Sequence, residues 1–165
     1  MSKQKEKIRN LVIAALVAAL YVVLTLLSAA FGLSSGVIQL RLSEALTILP
    51  AFTPAAIPGL FAGCLLANLL TGSLPWDVVL GSLATLLGAV GTYYLRRRPL
   101  FWAVPPILSN ALIIPFVLQW VYGVPDSYPF LLLTVTVGEV LSAGGVGYLL
   151  SRVLRRSRLF SPNNK

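Results

Sequence analysis

Arg41 and Glu44 carry opposite charges three residues apart in Leu40-Arg41-Leu42-Ser43-Glu44-Ala45-Leu46, and no further charge occurs until Asp77. A charge moved from water into hydrocarbon costs about 3 kcal/mol or more, so one kept beside an apolar run points to a ligand or a partner. Three spacings share a helix face, which leaves two plainer readings open: a mutual ion pair of little worth at the membrane surface, or a snorkelling Arg41. Glu139, in Val137-Gly138-Glu139-Val140, lies well inside another apolar run. Unpaired there it is neutral or costly; paired with a cation or a donor-rich solute it is ionised and specific. A bond to a neighbouring helix is the alternative.

Asn68 and Asn110 also fall within apolar runs. Each amide seeks partners for two donors and an acceptor, which either another helix or a ligand supplies. Trp76-Asp77 follows Pro75. Tryptophan favours membrane interfaces and Asp suits a helix N-terminus, yet both also suit a pocket mouth, where an aromatic face stacks on a planar ring. The chemistry in this set is recognition of a small solute rich in N–H donors, with a carboxylate as acceptor for an amidine-like edge.

Other chemistries lack their residues. The chain has no histidine and one cysteine, Cys64, so a histidine triad and an internal disulfide are excluded, and zinc and haem lose their commonest ligands. Gly138, Gly144, Gly145 and Gly147 lack the Gly-Lys-Ser/Thr ending of a phosphate loop, so the chain does not itself hydrolyse ATP. Neither enzyme activity, nor a cofactor, nor a bound metal is expected.

The elements that position these side chains are set by composition. Of 165 residues 57% are hydrophobic and 11% charged, with mean hydropathy +0.85; soluble domains carry about a quarter charged residues. The expectation is an all-α integral membrane protein, multi-pass in the cell membrane, forming one six-helix bundle. Continuous apolar runs argue against a β-barrel. A crossing needs about 20 apolar residues, and the expected spans are about 8–31, 43–52, 53–71, 76–95, 100–122 and 128–154. The stretch from Leu40 to Gly72 is divided because Pro50, Pro54 and Pro58 interrupt it. The run from Leu11 to about Phe31 exceeds the roughly 7–15 residues of a signal peptide's apolar region, so it reads as a retained span.

Net charge is +8, but twelve of the thirteen basic residues sit at three places: Lys3 to Arg9, Arg96 to Arg98, and Arg152 to Lys165. That placement fits cytoplasmic flanks better than nucleic acid. Six spans bring both termini and the Arg96–Arg98 loop to the cytoplasm, and Arg41, Asp77 and Asp126 to the outside. Glu44, Asn68, Trp76, Asp77 and Glu139 then fall in the outer half, with Asn110 deeper, and an outward-facing pocket is the expectation. In the first span, Ala14, Ala15, Ala18 and Ala19 make overlapping pairs of small residues that let another helix approach closely, within the chain or from a partner. Residues 161–165 read as a frayed tail.

The stretch IQLRLSEALTILPAFTPAAIPGLFAGCLLANLL from Ile38 to Leu70, together with WDVVLGSLATLLGA (76–89), PPILSNALI (105–113) and VGEVLSA (137–143), resembles the QueT family over nearly the whole chain, about 8 to 154. QueT proteins are similar to the substrate-binding S-components of energy-coupling-factor (ECF) transporters. The resemblance implies a six-helix S-component fold, uptake of a queuosine precursor (a 7-deazaguanine), and a partner module made of a transmembrane coupling protein and two cytoplasmic ATPases. It also implies that the alanines at 14, 15, 18 and 19 contact the coupling protein. An S-component for another nitrogen-rich solute or vitamin, and a stand-alone small-molecule carrier, are the alternatives.

Overall fold

The computed structural model describes residues 3–33 and 39–156, all of whose regular elements are helical. The tail at 161–165 lies outside the described residues, as do Arg158 and the segment 34–38.

Helix α1, Lys3–Ala30, is 28 residues long, about 42 Å at 1.5 Å per residue. It stops at Gly32, whose φ of 68° lets Gly32 N–H reach Ala29 O at 3.0 Å and Leu33 N–H reach Ser28 O at 2.9 Å. This left-handed cap closes the orphan carbonyls. One stripe of α1 is buried: Val17, Tyr21, Thr25 and Ser28. Leu11, Leu16, Leu20 and Val23 point outward, as a lipid-facing helix requires.

The segment Leu42–Ala51 is a ten-residue 3-10 helix, where the sequence suggests a short span. It rises about 2.0 Å per residue and is thinner than an α-helix. Pro50, inside it, supplies no N–H for an α-type bond. Ser43 through Pro50 are all buried, with the first three α-helices and the C-terminal stretch 140–156 packed against this thin rod. Ala56–Leu70 (α2) follows. Its Gly59 and Gly63 press on α1: a Cβ at Gly59 would stand 2.5 Å from Ala14 O, and one at Gly63 3.0 Å from Ala18 Cα. Small residues on both helices allow this approach without an aqueous driving force.

Helix α3, Pro75–Tyr94, opens with proline at its first turn, where no N–H is needed. Helix α4, Val104–Trp120, packs against it where Gly88 and Gly91 meet Pro106 and Pro105. The last rod comprises α5 (Tyr128–Glu139), a π-helical stretch (Val140–Val146) and α6 (Gly147–Arg156). Gly138 abuts the Gln39 carbonyl, and Gly147 sits against Ile48 and Ala45 of the 3-10 helix.

Among the described residues, four helical stretches are long and apolar enough to cross a membrane: Lys3–Ala30, Pro75–Tyr94, Pro99–Trp120 and Tyr128–Arg156. The 3-10 helix and α2 are shorter apolar helices. The outer surface is leucine-rich, while Ser28, Ser43, Thr47, Ser82, Thr85 and Thr92 are buried. Large side chains outside and small hydroxyl side chains inside is the packing of a membrane protein with several spans.

Candidate functional site

The polar interior is built around Glu44. Because the 3-10 helix is threaded through the bundle, Glu44 is only 1% exposed and is met from two other helices. Tyr21 of α1 donates its hydroxyl to Glu44 Oε1, and Asn110 of α4 donates Nδ2–H to Oε2 at 3.4 Å. Thr25, one turn beyond Tyr21, bonds the Ser43 hydroxyl at 2.9 Å. Glu44 is therefore a held group, with its two oxygens engaged by the fold rather than by a surface ion pair with Arg41.

Glu139 differs. It closes α5, is buried, and among the described residues its Oε2 finds no hydrogen-bond partner. Asn110, Arg41 and Glu44 all lie within its electrostatic reach. The space in front of it is a narrow inner pocket of about 10 Å³ lined by Gln39, Arg41, Asn110, Ile114, Val135 and Glu139. A buried carboxylate oxygen without a partner is costly, and such exceptions in a native interior call for an explanation.

Gln39 and Arg41 also line a second, much larger cleft of about 540 Å³, within the range of small-molecule sites. Its walls come from the ends of four helices: Thr25 and Ala29 of α1, Asn68 of α2, Asp77 of α3, Leu118 of α4, with the α2–α3 turn and the α4–α5 connection. Asp77 is buried and accepts the Tyr122 hydroxyl at 2.8 Å; that hydroxyl in turn accepts Leu74 N–H at 3.2 Å. Partial burial first, and then Asp77, raises the Tyr122 phenol above its ordinary pKa, so it stays a donor. Gly81 leaves room beside Asn68 and Asp77, since a Cβ there would stand 3.1 Å from Asn68 Nδ2. Asn68 Nδ2 also points to Cys64 Sγ at 3.7 Å. Gln39 and Arg41 thus line both parts of a two-part cavity, a wide vestibule and a narrow recess ending at Glu139.

The residues singled out from the sequence divide accordingly. Glu44, Asn110, Glu139 and Arg41 form the inner cluster, and Arg41, Asn68 and Asp77 line the vestibule. Trp76 does neither: it is 66% exposed and turns outward beside the inward-facing Asp77. The aromatic side chain in the vestibule is Tyr122. The alanine strip splits too. Ala14 and Ala18 are partly buried against Gly59 and Gly63, whereas Ala15 and Ala19 are exposed.

Sequence reasoning missed Tyr21, Thr25, Gln39 and Tyr122. One signal existed for the first pair. Tyr21 is a tyrosine in mid-span rather than at an interface, and Thr25 follows it by one helical turn.

Comparison with known proteins follows the same lines. The family model described as QueT transporter matches residues 11–156. The protein named Queuosine precursor transporter QueT from Lactococcus lactis subsp. cremoris (strain MG1363) is 40% identical over 85 residues, which are 51% of this chain and 49% of that protein. The match thus spans about half the length of that relative. No solved structure matches.

Proposed function

The chain belongs to the QueT transporter family, and on that premise we propose that it is the substrate-binding component of an ECF-type importer that takes up a queuosine precursor, a 7-deazaguanine. The observation that carries this reading is the unpartnered Glu139 Oε2 at the end of a polar cavity. A deazaguanine offers adjacent ring and amino N–H donors, and a carboxylate is their natural acceptor.

The ring is too large for the recess, so it seats in the vestibule, and Arg41 and Gln39 move aside to expose Glu139. Tyr122 supplies an aromatic face, as Trp76 cannot. Asn68 offers amide contacts, and Asp77 suits the cation of an aminomethyl substituent. Glu44, engaged by Tyr21 and Asn110, serves to hold Asn110 in place and adds negative potential.

Orientation follows from charge. The vestibule lies at the end of the bundle away from the α1 N-terminus, Arg96–Arg98 and Arg152–Arg156, the basic flanks that favour the cytoplasm. The cleft then faces outside, both termini face inside, and solute is captured before the protein reorients. Energy comes from a partner module of a coupling protein and two ATPases. Ala15 and Ala19 form the part of the alanine strip left for that contact.

The test is mass spectrometry of small molecules released from the purified protein, together with co-purification of ATPase subunits from a host that makes the module. Release of a deazaguanine and recovery of the ATPases support the proposal. Binding of an unrelated solute removes the substrate assignment, and uptake that persists without ATPase subunits removes the ECF assignment.

A further inference from the structure

A second groove lies at the opposite end, between the α3–α4 connection and α6. Its upper part, about 170 Å³, is apolar and includes Ile48, Trp102, Ala143 and Gly144. Its lower part, about 580 Å³, is lined by Arg152, Arg155 and Arg156. The two parts share Pro99, Leu100, Tyr148 and Ser151 and so form one continuous trough. Nothing in the substrate cleft reaches it.

We propose that this trough binds one anionic phospholipid, with an acyl chain in the apolar part and the phosphate among Arg152, Arg155 and Arg156. Each requirement of such a ligand has its counterpart. The apolar part opens beside side chains that already face outward: Leu100 is 85% exposed, and Leu149 and Val153 on the adjoining face of α6 are 62% and 64% exposed. The floor is left open by Gly144, where a Cβ would meet nothing closer than 3.8 Å.

The basic part is organised rather than merely charged. The Arg155 guanidinium lies 4.6 Å from the Trp102 ring centroid, and that of Arg152 lies 5.3 Å from Tyr148. A guanidinium stacked on an aromatic face keeps its in-plane N–H groups for a phosphate. Of the five acidic residues only Glu6 shares this end of the bundle, so little competes for the arginines. Basic pockets between helices on the cytoplasmic side suit anionic headgroups. A water-soluble acidic segment would match the arginines but leave the apolar half without a partner.

Native mass spectrometry of the full chain, exchanged into equimolar phosphatidylglycerol and phosphatidylcholine, tests this. One phosphatidylglycerol should be retained in preference to phosphatidylcholine. Arg152→Gln with Arg155→Gln should weaken that retention on the order of tenfold or more. Gly144→Leu, which fills the apolar part and leaves the arginines intact, should weaken it as well. Leu100→Ser removes apolar surface from the same part at an exposed position without adding a charge beside the arginines, so a folding defect in one variant does not decide the matter; thermal melts establish which variants are folded. Equal retention of the two lipids overturns the proposal. So does phosphatidylglycerol retention unchanged by both apolar-part variants, which would mean a bare basic surface. Displacement by glycerol phosphate or by an acidic peptide at equal concentration would assign the site to a free phosphate or a protein segment instead.

Discussion

Glu139→Gln replaces the carboxyl at the end of the recess by an amide and changes little of its shape. The structure separates two consequences that usually travel together. Glu139 is 7% exposed and among the described residues its Oε2 bonds nothing, so no hydrogen bond from those residues to that oxygen is lost. An unsatisfied buried polar group costs about 1–3 kcal/mol, and the amide leaves a polar group of nearly the same size at the same unpartnered position, so the stability of the fold should change little. Ligand binding should suffer, because a hydrogen bond to a charged acceptor contributes about 1.5–3 kcal/mol. That corresponds to a fall in affinity of roughly 10- to 150-fold. Titration calorimetry of a 7-deazaguanine into the purified protein in detergent gives the affinity, and a thermal melt gives the stability. Wild-type affinity in this variant would refute the role given to Glu139. A large drop in melting temperature would show that the carboxylate is a structural group after all.

Glu44→Gln should behave differently, since its oxygens are engaged by Tyr21 and Asn110; both melting temperature and affinity should fall. Tyr21→Phe strips one of those bonds and leaves Glu44 less satisfied, with a loss of about 1–3 kcal/mol in stability, read from equilibrium unfolding. Gly59→Val forces atoms into the space held by Ala14 and should cost about 1–3 kcal/mol, visible in the same unfolding assay. Ala15→Trp, at an exposed position of α1, should leave the melting temperature unchanged and abolish co-purification of the coupling protein, whereas Ala14→Trp should compromise the fold.

Much of this molecule was legible in its residues, because in a membrane protein hydropathy dictates helices and the rarity of charge singles out the few polar groups inside. Glu44 and Glu139 were visible for that reason. What the sequence left open concerned the direction in which a side chain turns. Asp77 and Trp76 are successive residues on a helix, about 100° apart, so facing Asp77 inward sends Trp76 outward. Ala14 and Ala18 lie on one face of α1, Ala15 and Ala19 on the next; only contact with Gly59 and Gly63 decides which pair is used internally. The 3-10 form of Leu42–Ala51 arises from burial on all sides together with Pro50, and neither local propensity nor apolar period announces it. Tyr21 was hidden because an aromatic residue in an apolar run reads as lipid-facing until a carboxylate on another element is brought to its hydroxyl.

A structure of the protein with a 7-deazaguanine bound would bear most directly on the assignment of the cavity. The expectation is a ring N–H about 2.7–3.2 Å from a Glu139 carboxylate oxygen, with the ring against Tyr122 and Arg41 displaced from the mouth of the recess. A ring lodged away from Glu139, or a cleft still empty at saturating ligand, would contradict it.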